Sequence, residues 1–372
     1  MQSNYALRGV IALVASASLS FSSSASAEQS EINFASPLPS IHALNKQIGS
    51  WLERVTEASG GEIKFNWYPG GTVAKVTKAL ASVKGGLADV SYMIDAYTSS
   101  EVPYEVMASR NGGFGADALV MSAAANEYLL LNCEQCRNDW RKNGVIAMAH
   151  VSTTPFYLAC REKLTSAADL KGKKIRSPGS FGVVTKEYGG IPVNIPITET
   201  FEALQRGQAD CTYAADAHMK SYSFNEVAKH MTRQSFGVYM SGAPFVISES
   251  KWKSLPAKHR ELIQSQLADL VTAGTWAYID EAKVARKESE ERGVAYHEPE
   301  ADLTEARDRY LGKLVDVAKE EAKKRRLTNA AEIMAKFPPV HQKWQKIVAE
   351  IGSDRDKYRE ALVREIYSKV KF

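Results

Sequence analysis

The chain has 372 residues, of which 44% are hydrophobic and 24% are charged, and its formal net charge is only +4. This length suits two domains, and a charge so close to neutral argues against nucleic acid as the main partner. Four cysteines, an even number, favour disulfide bonds in an exported chain.

The first 27 residues predict a cleaved export signal rather than part of the fold. Arg8 supplies a positive charge, residues 10–21 are apolar and padded with Ala and Ser, and Ala25-Ser26-Ala27 forms a cleavage signal. The apolar run is too short to span a bilayer, and we see no later stretch that is long and apolar enough. We therefore expect an exported, soluble protein that is released by cleavage after Ala27.

The first half of the remaining chain alternates between strand-like and helix-like segments. Strands show two-residue alternation, and helices show apolar residues at helical spacing. The expected order is strand 32–35, helix 42–58, strand 63–67, helix 73–83 and strand 88–92, then helix 118–133 and strands 145–150 and 156–160. A βαβαβ order predicts a mostly parallel sheet with helices on both faces.

The same pattern starts again in the second half. The expected segments are strand 174–176, helix 182–188, strand 192–195, helix 199–205 and strand 209–213. Residues 86–96 align with 207–217, and six of these eleven positions are identical. The alignment makes Tyr92 and Tyr213 equivalent strand ends, followed by Asp95 and Asp216. We expect two lobes that face each other across a cleft and close by a hinge motion.

The rest of the chain connects and braces these lobes. Strand-like runs 236–240 and 244–248 are expected to cross back between the lobes. A helix over 258–293 is expected to brace both lobes, and a further helix is expected over 303–327. The fold class is therefore α/β with two lobes, mostly parallel sheets and a long bridging helix. The first lobe is expected to comprise residues 28–150 plus 234–275, and the second 151–233 plus 276–372 with additional C-terminal helices.

The cysteines are interpreted as structural. Cys133 and Cys136 form a C-x2-C pair, but no thioredoxin-like pattern surrounds them and zinc would need two more ligands, so a local bridge is favoured. Cys160 and Cys211 lie in strand-like runs and can pair if those strands are neighbours. The sequence alone does not establish the connectivity.

Known catalytic and metal-binding motifs are not evident in the sequence. We find no G-x-S-x-G, P-loop or H-E-x-x-H motif, and the seven histidines show no ligand-like spacing. We expect no metal and no cofactor. An enzyme in which Asp95, Asp216 and His218 meet in one cleft stays an alternative, although the sequence identifies no nucleophile.

Arg176 is the most specific candidate for ligand binding. It ends the strand-like run 174–176, immediately before the turn Ser177-Pro178-Gly179. Ligands of open α/β sheets bind beyond the carboxyl ends of the strands, and a guanidinium held there can grip a carboxylate with two hydrogen bonds.

Several motifs resemble the solute-binding subunits of tripartite ATP-independent periplasmic (TRAP) transporters of the dicarboxylate-receptor type. The resemblance covers roughly residues 31–295. In the first half it is carried by the motifs Ser-Pro-x2-Ser-x-His at 36–42, Phe-x-Trp-Tyr-Pro-Gly-Gly at 65–71 and Gly-x-Ala-Asp at 86–89. In the second half the motifs are Asp-Leu-Lys-Gly-Lys-Lys-Ile-Arg at 169–176, Gly-Gly-Ile-Pro-Val at 189–193 and Ala-Leu-Gln-x-Gly-x-Ala-Asp at 203–210. It implies a two-lobed receptor that docks on a two-part membrane permease. It also implies that Arg176 pairs with the carboxylate of the ligand.

The sequence also departs from the pattern of that family. Ala214 and Ala215 stand where many relatives have an Asn that helps to hold the ligand, and the chain continues past the usual end. A monocarboxylate, a sulfonate or an amino-acid-like ligand therefore stays open beside a dicarboxylate.

We predict a periplasmic receptor that delivers a small organic acid to a TRAP permease. The alternatives are a periplasmic enzyme acting on a small carboxylic acid and a sensory ligand-binding domain. We expect a monomer, with a dimer left open. The predicted ligand-binding residues are Arg176, Tyr213, Asp216, Phe181 and Tyr157 from the second lobe, with Tyr92 and Asn33 from the first.

Overall fold

The structure, a computed structural model, describes residues 29–179 and 181–372. The predicted export signal and its cleavage site lie outside these residues. The strands are β1 Ser30–Ala35, β2 Ile63–Tyr68, β3 Val90–Ile94, β4 Val145–Val151, β5 Tyr157–Cys160, β6 Lys174–Arg176, β7 Ile191–Val193, β8 Cys211–Ala214, β9 His230–Thr232, β10 Gly242–Ser248 and β11 Ala295–His297.

Helices flank these strands along the whole described chain. They are α1 Ala43–Ala58, α2 Ala79–Lys84, α3 Pro103–Ala108, α4 Ala118–Glu127, α5 Glu134–Lys142, α6 Ala167–Leu170, α7 Phe181–Glu187, α8 Thr200–Gln205, α9 Asp216–Ser221, α10 Glu249–Ser254, α11 Ala257–Ser265, α12 Leu267–Glu291, α13 Ala301–Lys324, α14 Ala330–Ala335, α15 Phe337–Ile351 and α16 Arg355–Leu362. Within the described residues, no helix combines the length and the apolar character needed to span a membrane.

The strands form two mixed sheets, which confirms the expected α/β class with two lobes. The first sheet has the order β2-β1-β3-β10-β4, and the second has the order β11-β9-β5-β8-β6-β7. In the first sheet β1 is parallel to β2 and β3, whereas β10 runs antiparallel to β3 and β4. In the second, β6 is parallel to β7 and β8, whereas β5 is antiparallel to β8 and β9.

The internal repeat corresponds to equivalent hydrogen bonds in the two lobes. The carboxylate of Asp89 accepts from the backbone N–H of Asn33 at 2.8 Å, and that of Asp210 accepts from the N–H of Lys174 at 2.8 Å. Each aspartate thus ties the entry of one strand (β3 or β8) to a neighbouring parallel strand. The Gly-x-Ala-Asp motif is therefore structural in both copies.

Trp51 joins the first sheet to the long helical segment. Its ring is fully buried and meets Phe245 of β10 edge-on, with ring centroids 5.5 Å apart. Its indole N–H donates to the carbonyl oxygen of Gln266 at 2.7 Å. Gln266 is the turn residue between α11 and α12, so the helix expected over 258–293 is interrupted there.

Two helices contact both lobes. The predicted bridging helix is α12, which packs on α1 in the first lobe and on α9 in the second. The other is α13, which contacts α6 and α7 of the second lobe and the turn 109–114 of the first. Its leucines at 303 and 314 lie in the core around Phe156 and Tyr213.

The C-terminal helices pack differently from our expectation. The sequence predicts residues 276–372 in the second lobe, whereas α15 packs on α4 of the first. Trp344 donates its indole N–H to Glu127 at 2.7 Å, and the hydroxyl of Tyr367 donates to Asn126 at 3.0 Å. Buried aromatic groups that find hydrogen-bond partners on α4 explain this placement. The other domain boundaries stay a prediction.

Two further segments differ from the prediction. Residues 236–240 form no regular strand, because Gly237 has φ of +82°, which lies outside the strand region. The segment instead pairs irregularly, with the N–H of Phe156 donating to the oxygen of Gly237 at 2.8 Å. The helix expected over 73–83 is a short 3-10 turn, Val76–Lys78, followed by α2.

Both expected disulfides are formed. Cys133 is bonded to Cys136, and Cys160 to Cys211. Cys160 and Cys211 lie directly opposite each other on the antiparallel strands β5 and β8. All four cysteines are buried.

Candidate functional site

A cavity lies between the two lobes at the carboxyl ends of β3 and β6. Its space, including its mouth, is about 460 Å³. We call it the aromatic cavity, because its wall contains the rings of Tyr92, Tyr97, Phe156, Phe181, Tyr222, Tyr239 and Tyr278. His218 and Arg176 also line it. A concave, mostly apolar wall with few polar groups is typical of a small-molecule site.

Arg176 brings a positive charge into this cavity. It is the last residue of β6 and only 2% exposed. Its Nε donates to the carbonyl oxygen of Ile195 at 2.9 Å, and its Nη2 donates to the hydroxyl oxygen of Tyr97 at 2.7 Å. No ion pair of Arg176 is found among the described residues, so the buried charge lacks a carboxylate partner. Its Nη1 is left to face the cavity.

Tyr97 connects the two lobes at the guanidinium. It lies in the 3-10 turn Asp95–Tyr97 that follows β3 of the first lobe. Its hydroxyl oxygen accepts both from Arg176 and from the backbone N–H of Ile197, the latter at 2.8 Å. Because this oxygen accepts twice, its own proton is free to be donated into the cavity.

His218 is a buried, neutral imidazole beside the guanidinium. Its Nδ1 accepts from the backbone N–H of Ala215 at 3.3 Å, so the ring proton is on Nε2. Burial, followed by His42 and Arg176, holds the pKa of His218 well below its usual value. The ring meets Phe156 edge-on at 5.3 Å between centroids. His218 therefore offers one uncharged donor.

Three of the seven predicted site residues line the cavity. Arg176, Phe181 and Tyr92 contribute to its wall. The ring of Phe181 is stacked between those of Phe156 and Tyr213, with centroids at 5.2 and 4.7 Å. Tyr213 thus lies behind Phe181, and its hydroxyl shares a hydrogen bond with Thr185 at 3.0 Å.

The other three predicted residues are engaged elsewhere. Both carboxylate oxygens of Asp216 accept from Nη1 of Arg233, at 2.9 and 2.8 Å. The guanidinium of Arg233 also lies 3.6 Å above the ring centroid of Tyr157. Asn33 accepts from the side chain of Asn66 at 3.0 Å within the first sheet. Asp216 and Tyr157 thus fix Arg233 rather than form the cavity wall.

Sequence reasoning missed most of the aromatic wall. The residues of the wall that were not predicted are Tyr97, Phe156, Tyr222, Tyr239 and Tyr278. His218 was named for the alternative of an enzyme, and not among the predicted ligand-binding residues. Tyr97 carried a usable signal, since it directly follows the strand end that aligns with β8. Tyr278 lies on α12, where apolar residues are equally typical of a core face, so its position in the sequence gave no signal.

The described residues show no cluster of three or more His, Cys, Asp or Glu side chains that could hold a metal ion. The donors that face the aromatic cavity are a guanidinium, tyrosine hydroxyls and an imidazole N–H. Such a set binds an anion through hydrogen bonds.

Comparison with known proteins identifies similar chains. The model of a family described as "Bacterial extracellular solute-binding protein, family 7" matches residues 34–322. A solute-binding protein of Albidiferax ferrireducens is 22% identical over 282 residues, which cover 75% of this chain and 80% of the relative.

Two solved structures share the fold. One is a TRAP solute-binding protein from an unidentified marine microbe, specific for aromatic acid ligands and in complex with 3-hydroxybenzoate. Its sequence is 24% identical to this chain, the TM-score is 0.76, and the match covers 85% of this chain and 99% of that chain. The other is a TRAP solute-binding protein from Rhodoferax ferrireducens in complex with benzoate, 18% identical with a TM-score of 0.76, over 86% of this chain and 99% of that chain. At such identities the likeness establishes the fold alone.

Proposed function

The chain belongs to family 7 of the bacterial extracellular solute-binding proteins, and from this premise we propose that it is the periplasmic receptor of a TRAP transporter for a small aromatic monocarboxylate. The receptor binds the acid between its lobes, closes over it and delivers it to the membrane permease. We propose binding without chemical conversion, in keeping with a family of solute-binding proteins.

The unpaired guanidinium of Arg176 is the observation that carries this proposal. A charge that is 2% exposed is costly without an opposite charge, and a ligand carboxylate supplies it. Nη1 and the remaining proton of Nη2 can hold the two carboxylate oxygens in parallel. The carbonyl oxygen of Ile195 accepts from Nε and the strand β6 carries the residue, so the guanidinium is held in place by the protein itself.

The rings of the wall favour an aromatic body for the ligand. Seven phenyl and phenol rings give flat apolar surfaces on which another ring stacks or meets an edge. Arg176 is the only Lys or Arg among the described residues that line the cavity, which favours one carboxylate over two. The two similar structures described above, one with 3-hydroxybenzoate and one with benzoate, support the same ligand class.

Titration of the mature protein with benzoate by isothermal calorimetry tests the proposal. We expect one benzoate per chain, much weaker binding of succinate, and no binding of benzamide, which lacks the charge. Arg176→Gln is expected to weaken benzoate binding by about 100-fold or more, since it removes the charged partner of a buried pair.

Arg161→Gln is the matched control, because Arg161 is an exposed arginine that follows β5 of the same lobe. It should leave the affinity unchanged. Benzoate binding that survives Arg176→Gln, or equal binding of benzamide, would contradict the assignment of Arg176. Stronger binding of succinate than of benzoate would contradict the aromatic ligand class.

A further inference from the structure

We propose that a second compartment beside the aromatic cavity binds a second small oxyanion, of the carboxylate, sulfate or phosphate type. We call it the arginine compartment and define it by Asp95, Arg110, Arg307 and Tyr310. Its space, including its mouth, is about 630 Å³. Phe181 and Tyr239 form the wall that it shares with the aromatic cavity.

Arg110 supplies a buried donor that points at no protein acceptor. It lies in the 3-10 turn Ser109–Phe114 after α3 and is 6% exposed. Its Nη2 pairs with Glu321 of α13, whereas its Nη1 is buried without a hydrogen-bond partner among residues 29–179 and 181–372. Buried N–H groups are rarely left unpaired, so an unfilled donor in a cavity wall indicates a bound acceptor.

Arg307 and Tyr310 approach the compartment from α13, which contacts both lobes. They are three residues apart on α13 and therefore lie on one face of that helix. The Nε of Arg307 lies 2.8 Å from the carboxylate of the neighbouring Asp308. The rest of this guanidinium and the phenol of Tyr310 line the space opposite Arg110.

Asp95 is the buried carboxyl group of the compartment. It is 1% exposed, its Oδ1 accepts from the hydroxyl of Tyr239, and its Oδ2 has no partner in the described part of the chain. Burial raises the pKa of this carboxyl group, which favours the protonated form. In its protonated form this carboxyl group donates a hydrogen bond to an oxyanion.

The charges favour an oxyanion over a cation. The two carboxylates beside the arginines, Glu321 and Asp308, are outside the compartment wall, and their side chains are 30% and 61% exposed. Water screens them, whereas the guanidinium groups face the cavity. Planar guanidinium groups match the geometry of carboxylate, sulfate and phosphate oxygens.

The position of the compartment predicts coupling to the aromatic cavity. Asp95 and Arg110 lie in the first lobe and Phe181 in the second, whereas Arg307 lies on α13, which contacts both lobes. An anion held by both lobes stabilises the closed arrangement, in which the aromatic cavity is also complete. The second anion should therefore strengthen binding of the aromatic acid, and the aromatic acid should strengthen binding of the anion by the same factor.

Calorimetric titration of the mature protein with sulfate, phosphate and acetate, each tested separately, examines this site directly. We expect one of these anions to bind with one site per chain in the native protein and in Arg176→Gln. Arg110→Gln and Arg307→Gln should each abolish that binding. Arg309→Gln is the matched control on the same helix, because Arg309 has a side chain 58% exposed and lies outside the compartment.

A second titration measures the coupling. With the anion at saturation, the Kd of benzoate should fall by about five-fold or more in the native protein and should not change in Arg307→Gln. Competition between the anion and benzoate, with loss of both in Arg176→Gln, would show a single site and overturn the proposal. Binding of none of the three anions would also overturn it, while benzoate binding would still test the proposed receptor function separately.

Discussion

His42 and His218 face each other beside the aromatic cavity, with ring centroids 6.4 Å apart. Burial lowers the pKa of His42 to about 3, and burial is also the main cause of the lowered pKa of His218. His218 is a neutral imidazole beside Arg176, so the guanidinium is the one Lys or Arg charge among the described residues that line the cavity. The charge of the binding site is therefore constant at ordinary pH.

We predict that the affinity for benzoate is the same from pH 5.5 to pH 8. Burial lowers the pKa of His42 to about 3 and holds the pKa of His218 well below its usual value, so we expect both rings to stay neutral over this range. Calorimetric titrations at four pH values in buffers of matched ionic strength measure this. A clear increase in affinity towards pH 5.5 would show instead that an imidazolium contributes to carboxylate binding.

Glu105 is a buried carboxyl group that gives stability a definite pH dependence. It is 1% exposed and accepts from the indole N–H of Trp140, and burial holds its pKa well above the usual value. The folded state therefore keeps a proton on Glu105 at a pH where the unfolded state has lost it. The stability that Glu105 contributes is lost as the pH rises from the pKa of a glutamate in the unfolded chain, about 4.3, towards the raised pKa of Glu105 in the folded protein.

Glu105→Gln is predicted to become more stabilising as the pH rises. Gln carries no proton to lose, so the difference in unfolding free energy between variant and native protein should grow by up to about 1.4 kcal/mol per pH unit in that window. Urea unfolding at pH 5, 6, 7 and 8 measures it. Glu57→Gln, at an exposed position of α1, serves as the control and should show a flat difference; a flat difference for Glu105→Gln would contradict the prediction.

The two disulfides constrain elements of very different separation. Cys133–Cys136 closes a separation of three residues between the end of the α4 segment and α5, whereas Cys160–Cys211 closes one of 51 residues and joins β5 to β8. Chain-entropy arguments make the second bond the more stabilising, because it restricts the unfolded chain more.

We predict that replacing both Cys160 and Cys211 by Ala lowers the unfolding free energy by about 4 kcal/mol, against about 2 kcal/mol for the pair Cys133 and Cys136. Both pairs are buried, so the lost side-chain burial is similar and the difference reflects loop closure. Urea unfolding of the two double variants measures it. A larger loss for the short bridge would show that the local fold around α5 matters more than chain entropy.

The elements that follow local patterns were predictable from the sequence. The starts of β3 and β8, just after Asp89 and Asp210, and the helix from Ala43 to Ala58 follow from glycines, periodicity and turn residues. The hydrogen bond from Trp51 to the carbonyl oxygen of Gln266 was not predictable, because the two residues are 215 positions apart in the chain. Residues 236–240 have the composition of a strand, but the positive φ of Gly237 excludes it.

The candidate site shows the same division between local and distant information. Arg176 was identifiable because strand, turn and charge coincide within a few residues. The pairing of Asp216 with Arg233 was not visible in the sequence, because Arg233 follows another strand. The aromatic wall combines residues from 92 to 278, and a sequence pattern does not state which tyrosines converge.

At the scale of the whole molecule, Tyr97 joins the lobes at the ligand site. Its hydroxyl accepts from Arg176 and Ile197, both in the second lobe. The helices α12 and α13 cross between the lobes at other places. The two lobes are therefore connected both by a polar contact at the cavity and by helices that span both halves.

Tyr97→Phe is predicted to weaken benzoate binding by about ten-fold or more, because it leaves two buried donors without an acceptor. Small-angle X-ray scattering should show a larger radius of gyration for this variant than for the native protein when both are exposed to the same benzoate concentration. Tyr68→Phe is the control, since Tyr68 lies at the exposed end of β2. Equal radii and equal affinities for Tyr97→Phe would contradict a role of Tyr97 in closure.

The pairing of the cysteines has a consequence for how the protein matures. Each cysteine is bonded to the next one along the chain, Cys133 to Cys136 and Cys160 to Cys211. If the chain enters an oxidising compartment N-terminus first, an oxidant that joins cysteines in their order of arrival produces the native bonds directly. Maturation of this protein should then depend on a thiol oxidase but need no enzyme that reshuffles wrong disulfides.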